Sequence, residues 1–292
     1  MMRMNQLQAL IRLIEDPDEI VFSHVRDKLL NYGKDAIPFL EISWEEEDWG
    51  LLFQNRIENI IHEIQFSEAC NQIRAWKDSD EKDLLAGALV VARYQYPGLD
   101  EDAIRADIAK ITQDVWLEIS TKNTALEKVR IFNKIFFGTH RFKGNSKNYL
   151  SPLNSFINTV LESRKGNPLS LCLLYSIIAQ RNDMPVYGVN LPNHFILAYM
   201  DEYKVKHAMG ENNGYGVLFY INPFSRGSIF DENEIKDFLT SLNLGQVREY
   251  FEPCSNTQII KRMLTNLVAA FQEVGNAEKV NELKELRDIL ES

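Results

Sequence analysis

Residues 166–197 read GNPLSLCLLYSIIAQRNDMPVYGVNLPNHFIL, and their reading decides the fold. From Pro168 to Arg181 nearly every side chain is apolar, so the spacing predicts a helix buried on all sides. After it the period shortens to that of strands, over 185–191 and 194–200, with Pro-Asn between them. That turn delivers His194 to the start of the second strand. Either His194 meets Cys172 as half of a thiol catalytic pair, or the scaffold of such a site is present without its chemistry.

Downstream, VKHAM (205–209) and GVLFYINPF (216–224) read as two further strands joined by the turn GENNGYG (210–216). That turn lacks the Lys-Ser/Thr of a phosphate loop. Residues 231–251 read as a helix and tail. The last segment makes two amphipathic helices joined at Gly275-Asn276. Upstream, LNSFINTVLESR predicts a helix with Phe156, Val160 and Leu161 inward, preceded by the loop FKGNSKNYLSPLNS. Before that loop come helices in DLLAGALVVARYQYP, in DEDAIRADIAKITQDVWLEIS (Ile104, Ile108, Ile111 and Val115 on one face) and in ALEKVRIFNKIFFGTHRF, which ends near Gly138. At the amino terminus Leu7, Leu10, Ile11 and Ile14 form one stripe and Val21, Val25, Leu29 and Leu30 a second. Asp16-Pro17-Asp18 separates the two helices, Gly33 caps the second, and a third starts near Ala36-Ile37-Pro38.

Composition sets limits. The chain has 292 residues, 45% apolar and 25% charged, which is an ordinary globular balance. Its formal charge is -10, and the first fifty residues hold eleven acidic against five basic side chains. Such a surface repels phosphate backbones, so no nucleic-acid partner is expected. No window reaches the roughly 18 apolar residues of a membrane span, and the start has no signal-peptide run, so no membrane partner is expected. Three scattered cysteines (Cys70, Cys172, Cys254) suit reduced thiols and a cytoplasmic location. His62-Glu63 begins an HExxH-like string, but position 66 is Phe, and the other histidines lack ligand spacing. No metal and no cofactor are expected.

A buried helix followed by antiparallel strands, a histidine opening the second and Asn-Pro closing another, is the order of a papain-like core. In that chemistry a cysteine at the helix start attacks a carbonyl, the histidine takes its proton, and Asp or Asn orients the ring. The helix start matters because its free N–H groups and positive dipole end favour thiolate, within the first turn only. NYLSPLNSFINTVLESRKGNPLSLCLLYSIIAQRNDMPVYGVNLPNHFILAY, with the later YINPFSRG, resembles the SirB-type bacterial branch of the transglutaminase-like superfamily. The core is similar also to the middle of a eukaryotic F-box protein. The resemblance implies an α+β papain/transglutaminase-like core, with His194 in the place of the catalytic histidine and Asn222 where the family carries aspartate. Where the superfamily's cysteine would start the helix, this chain has Pro168, Leu169 and Ser170, and Cys172 lies about one turn inside.

The expected organisation is a HEAT-like helical segment at 1–65, a helical region at 66–145, the transglutaminase-like core at 146–252 and a tetratricopeptide-like hairpin at 253–292. Cys172 and Ser170 are the candidate nucleophiles, His194 the base and Asn222 its orienter. Each has a plain structural reading: Cys172 as a buried small apolar residue, Ser170 as a helix cap, His194 as a hydrogen-bonded partner of Asn222. Asn154, Arg164, Gly166 and Asn193 are the candidate cleft or partner-binding residues, with Arg164 and its neighbour Lys165 as an anion site or as solvated charge. With the nucleophile displaced, the expected role is a non-catalytic module that binds another protein, a pseudoenzyme. The alternative is a thiol or serine hydrolase or acyl transferase.

Overall fold

The computed structural model describes residues 2–45, 50–202 and 215–291. Twelve α-helices lie among them. In the first third these are α1 (Met2–Arg12), α2 (Glu19–Tyr32), α3 (Ile37–Glu45) and α4 (Leu51–Asp78). Then follow α5 (Leu84–Gln95), α6 (Glu101–Glu118), α7 (Ala125–Asn133), α8 (Ile157–Ser163) and α9 (Pro168–Gln180). The last are α10 (Glu232–Ser241), α11 (Asn256–Glu273) and α12 (Ala277–Ile289). A mainly helical chain with a small antiparallel sheet is α+β, as expected. Among the described residues no helix is long and apolar enough to cross a membrane.

The chain divides into two compact units after Ala75. In the first, the two stripes read from the sequence meet: Leu7, Ile11, Ile14, Val25 and Leu29 are buried together with Leu40, Phe53 and Ile57. Asp18 caps α2 through the Ile20 N–H at 2.8 Å, and Gly33 takes the left-handed φ of 59° that ends it. The buried Arg56 donates to the carbonyls of Ile14 and Asp16, both at 2.7 Å, and pairs with Glu19. The boundary expected between 65 and 66 falls inside α4, whose sequence has no Gly or Pro to break it.

The second unit runs from Trp76 and holds, as one compact body, residues 76–145 of the second expected segment and both segments after it. Its centre is α9, with twelve of its thirteen residues buried. Helices α5, α6, α8 and α11 pack on it, as do strands β3 (Val186–Leu191) and β4 (His194–Met200). These strands continue into β5 (Val217–Asn222) and β6 (Ser228–Phe230), giving an antiparallel sheet in the order β3-β4-β5-β6. Two two-residue strands, β1 (Lys143–Gly144) and β2 (Lys165–Gly166), pair in parallel beside α9. The expected VKHAM strand and most of its turn, residues 205–214, lie outside the described residues.

The β3–β4 register places Leu191 opposite His194 and Asn190 opposite Phe195. Pro192 and Asn193 alone make the turn, Asn193 at φ 57°, a left-handed position that Asn tolerates. Strand alternation then sends side chains to two faces. Gly188 and Phe195 lie on the α11 side, where a Cβ on Gly188 would meet the Phe195 ring at 2.7 Å and Ile259 at 3.1 Å. Val189, Leu191, Ile196, Ala198 and Tyr220 lie on the other face, buried with Ile235 and Leu239 of α10.

Candidate functional site

The start of α9 is a closed hydrogen-bonded box. Asn167 caps the helix, its side chain accepting the Ser170 N–H at 2.9 Å, while the Ser170 Oγ accepts the Asn167 N–H at 3.0 Å. Pro168 occupies the first helical turn, where its missing N–H costs nothing. The Ser170 hydroxyl donates to the Asn154 carbonyl at 2.6 Å. Ser170 is therefore buried and committed on both sides. A Cβ on Gly166 would sit 2.5 Å from that hydroxyl, so glycine is what lets β2 pass.

Cys172 lies within α9 with no exposed surface, and its thiol faces the Phe195 carbonyl at 3.4 Å. Burial pushes its pKa well above that of a free thiol, and the neighbouring Cys254 adds to the shift. Burial of this kind disfavours the thiolate, the form that attacks a carbonyl or binds a metal.

His194 sits on the opposite, α10-facing side of β4, in line with Ile196 and Ala198. Its ring is hydrogen-bonded to Asn222, Nδ2 to Nε2 at 3.1 Å. The Asn222 Oδ1 accepts the Ser225 N–H at 3.3 Å, which fixes the amide with its NH2 toward the ring. Nε2 is thus the acceptor, and the neutral ring carries its proton on Nδ1. Burial lowers the His194 pKa, and the positive charge of Arg262 lowers it further. The expected His194–Asn222 pairing is present. The meeting of His194 with Cys172 or Ser170 that the alternative reading requires is not: each of the three makes its hydrogen bonds elsewhere.

The other candidate residues separate in the same way. Asn154 is buried and organises its own loop, donating to the carbonyls of Asn148 (2.7 Å) and Tyr149 (3.0 Å) and accepting from Asn145 (2.8 Å). Arg164 pairs with Asp107 at 3.0 Å and lies over the Phe142 ring. Asn193 alone of these four faces the groove beside His194. That groove, of about 420 Å³, is walled by Leu191, Ile196, Ile235 and Phe238, with Glu234 on the α10 side.

Two neighbours escaped the sequence reading. Arg262 of α11 is half-buried and donates to Asn190 Oδ1 at 3.2 Å. Tyr149, edge-on to Phe224 at 6.0 Å, lies near enough to raise the Arg262 pKa against the larger lowering from burial. Nothing in the sequence ties a C-terminal helix to the hairpin; only the packing of α11 on α9 and β3 does.

Comparison with known proteins agrees with this architecture. A family model described as transglutaminase-like superfamily matches residues 102–265, spanning the boundaries expected at 145 and 252. A UPF0162 protein of Xylella fastidiosa is 26% identical over 209 residues, 69% of each chain. One from Vibrio cholerae is 24% identical over 197 residues, 66% of this chain and 68% of its own. Mouse F-box only protein 21 is 27% identical over 180 residues, 60% of this chain but 26% of the mouse protein. No solved structure matches the chain. With more than half its length under the family model and the buried helix, hairpin and histidine all in place, the chain belongs to the transglutaminase-like superfamily.

Proposed function

We propose that this chain is a cytoplasmic transglutaminase-like protein that recognises another protein and does not turn over a substrate. The observation that carries the reading is the commitment of both nucleophile candidates: the Cys172 thiol to a buried carbonyl, the Ser170 hydroxyl to the helix cap. A histidine whose Nε2 accepts from Asn222 is held neutral and oriented, which suits binding as well as it suits base work. The groove beside it, lined by apolar Leu191, Ile196, Ile235 and Phe238 and by polar Asn193 and Asn222, has the make-up of a recognition site. That an F-box only protein shares the core supports a regulatory setting.

Two measurements test this. Iodoacetamide should leave Cys172 unlabelled in the native protein and label it after unfolding in urea. Hydrolysis or transfer of activated acyl esters and glutamine amides should not differ between the wild type and Cys172→Ala or Ser170→Ala. Rapid native labelling of Cys172, or turnover that disappears in either variant, overturns the proposal in favour of a hydrolase or acyl transferase. Affinity capture should yield a protein bound by the wild type and released by Phe238→Asp in the groove wall.

A further inference from the structure

Helix α10 carries two glutamates in its first turn, and they stand differently. Glu232 is paired with Lys236 at 2.6 Å. The Glu234 carboxylate has no ion pair or hydrogen bond among the described residues, and it is the one that lines the groove beside His194. Of the described side chains lining that groove it alone carries a full charge, since burial holds His194 toward its neutral form. Aromatic rings stand beside this charge. Phe238 follows Glu234 by four residues, on the same face of α10 and one turn along. Its ring centroid lies 6.3 Å from that of His194 on the facing strand. Phe230 lines the groove as well, stacked on Tyr220 at 5.8 Å.

We propose that this groove seats a lysine side chain of a partner polypeptide, its ammonium at Glu234 and its stem against Phe238 and the hairpin residues Leu191 and Ile196. This rests on the binding reading above and names the chemistry bound. The occupant follows from charge complementarity: an unmatched carboxylate on the rim of an apolar groove calls for a cation that brings apolar length with it. Lysine buries four methylenes and keeps its charge at the end. The faces of Phe238 and Phe230 add a cation–π attraction that a neutral side chain of the same shape lacks. An arginine is a poorer match. Its planar guanidinium has five donors to place, whereas a compact ammonium is served by one carboxylate. The Asn222 amide is already committed, its NH2 to His194 and its oxygen to the Ser225 N–H, so it supplies no further acceptor for a fork. A neutral imidazole does not repel the incoming cation, and the formal charge of -10 draws basic partners toward the chain. A volume of about 420 Å³ takes the side chain and the backbone on either side of it.

The test uses the full chain and four peptides blocked at both ends: Gly-Gly-Lys-Gly-Gly, and the same peptide with norleucine, arginine or glutamate at its centre. Norleucine keeps the four-carbon stem and lacks the ammonium. Binding is read by calorimetry and by the Phe238 ring resonances. The lysine peptide should bind about tenfold more tightly than the norleucine peptide, the gain from one exposed ion pair and one cation–π contact. It should also bind more tightly than the arginine and glutamate peptides. Glu234→Gln should erase the lysine–norleucine difference. Asp237→Asn removes an exposed charge of α10 that does not line the groove, and should leave the difference in place. Equal binding of lysine and norleucine overturns the cation site while leaving an apolar groove and the binding reading intact. A preference for arginine, equal loss in both variants, or no binding of the lysine peptide at millimolar concentration overturns it too. Turnover dependent on Cys172 would instead sink the broader reading and leave the peptide measurement standing.

Discussion

Ser170 shows how one side chain decides between chemistry and architecture. Its hydroxyl accepts the Asn167 N–H and donates to the Asn154 carbonyl, closing the start of α9 against the preceding loop. Ser170→Ala removes both of these bonds and leaves the Asn167 N–H and the Asn154 carbonyl only their longer bond to each other, at 3.3 Å. The expected cost is about 1–2 kcal/mol of unfolding free energy, read as a lower urea midpoint at unchanged slope. A hydrolytic serine removed at the same position would cost activity with little stability, so the two roles separate in one pair of measurements. The sequence carried half of this. Ser near a helix start is a familiar cap, but its second partner, Asn154, lies in a loop whose geometry no spacing reveals.

At the scale of elements, the chain's strongest periodicities were legible and its shortest pieces were not. α9 and the β3–β4 hairpin follow from an apolar run and a Pro-Asn turn. β1, β2 and β6, two or three residues each, have too few positions to show any alternation, and they form because α9 and β5 offer partners. The expected segment boundary between 65 and 66 lies within α4, where an unbroken run without Gly or Pro makes a single 28-residue helix. Its Arg56 binds α4 to the turn between α1 and α2 through two carbonyls and Glu19, and stacks on Phe22 at 3.9 Å. Arg56→Met keeps the packing volume and removes every donor. The two stranded carbonyls predict a loss of about 2–4 kcal/mol from the first unit. Amide hydrogen exchange in α1 and α2 should accelerate accordingly, whereas exchange confined to fraying ends would refute the role given to Arg56.

For the whole molecule, acidity and the buried histidine pull pH dependence in opposite directions. At pH 7 the chain carries a formal -10, so protonating carboxylates toward the isoelectric pH of about 5.1 relieves self-repulsion and favours the compact state. His194 acts the other way. Its folded pKa lies below the ordinary value near 6.5, through burial first and the Arg262 charge second. The unfolded chain therefore binds this proton more readily than the folded one. Stability rises with pH across the interval between the two pKa values and is lost as pH falls through it. Glu234 lines the same groove. The wild-type melting curve mixes both effects, so its shape alone decides nothing. His194→Gln keeps an acceptor for the Asn222 NH2 and leaves the carboxylates unchanged, so the difference between the two proteins isolates the imidazole. The difference in melting temperature, variant minus wild type, should grow more positive from pH 7.5 to pH 5.5 and level off below the folded pKa. A difference flat over that range would mean the ring protonates equally in both states. His194 would then be an exposed residue in solution, and the neutral Nδ1–H donor assigned to it would be lost.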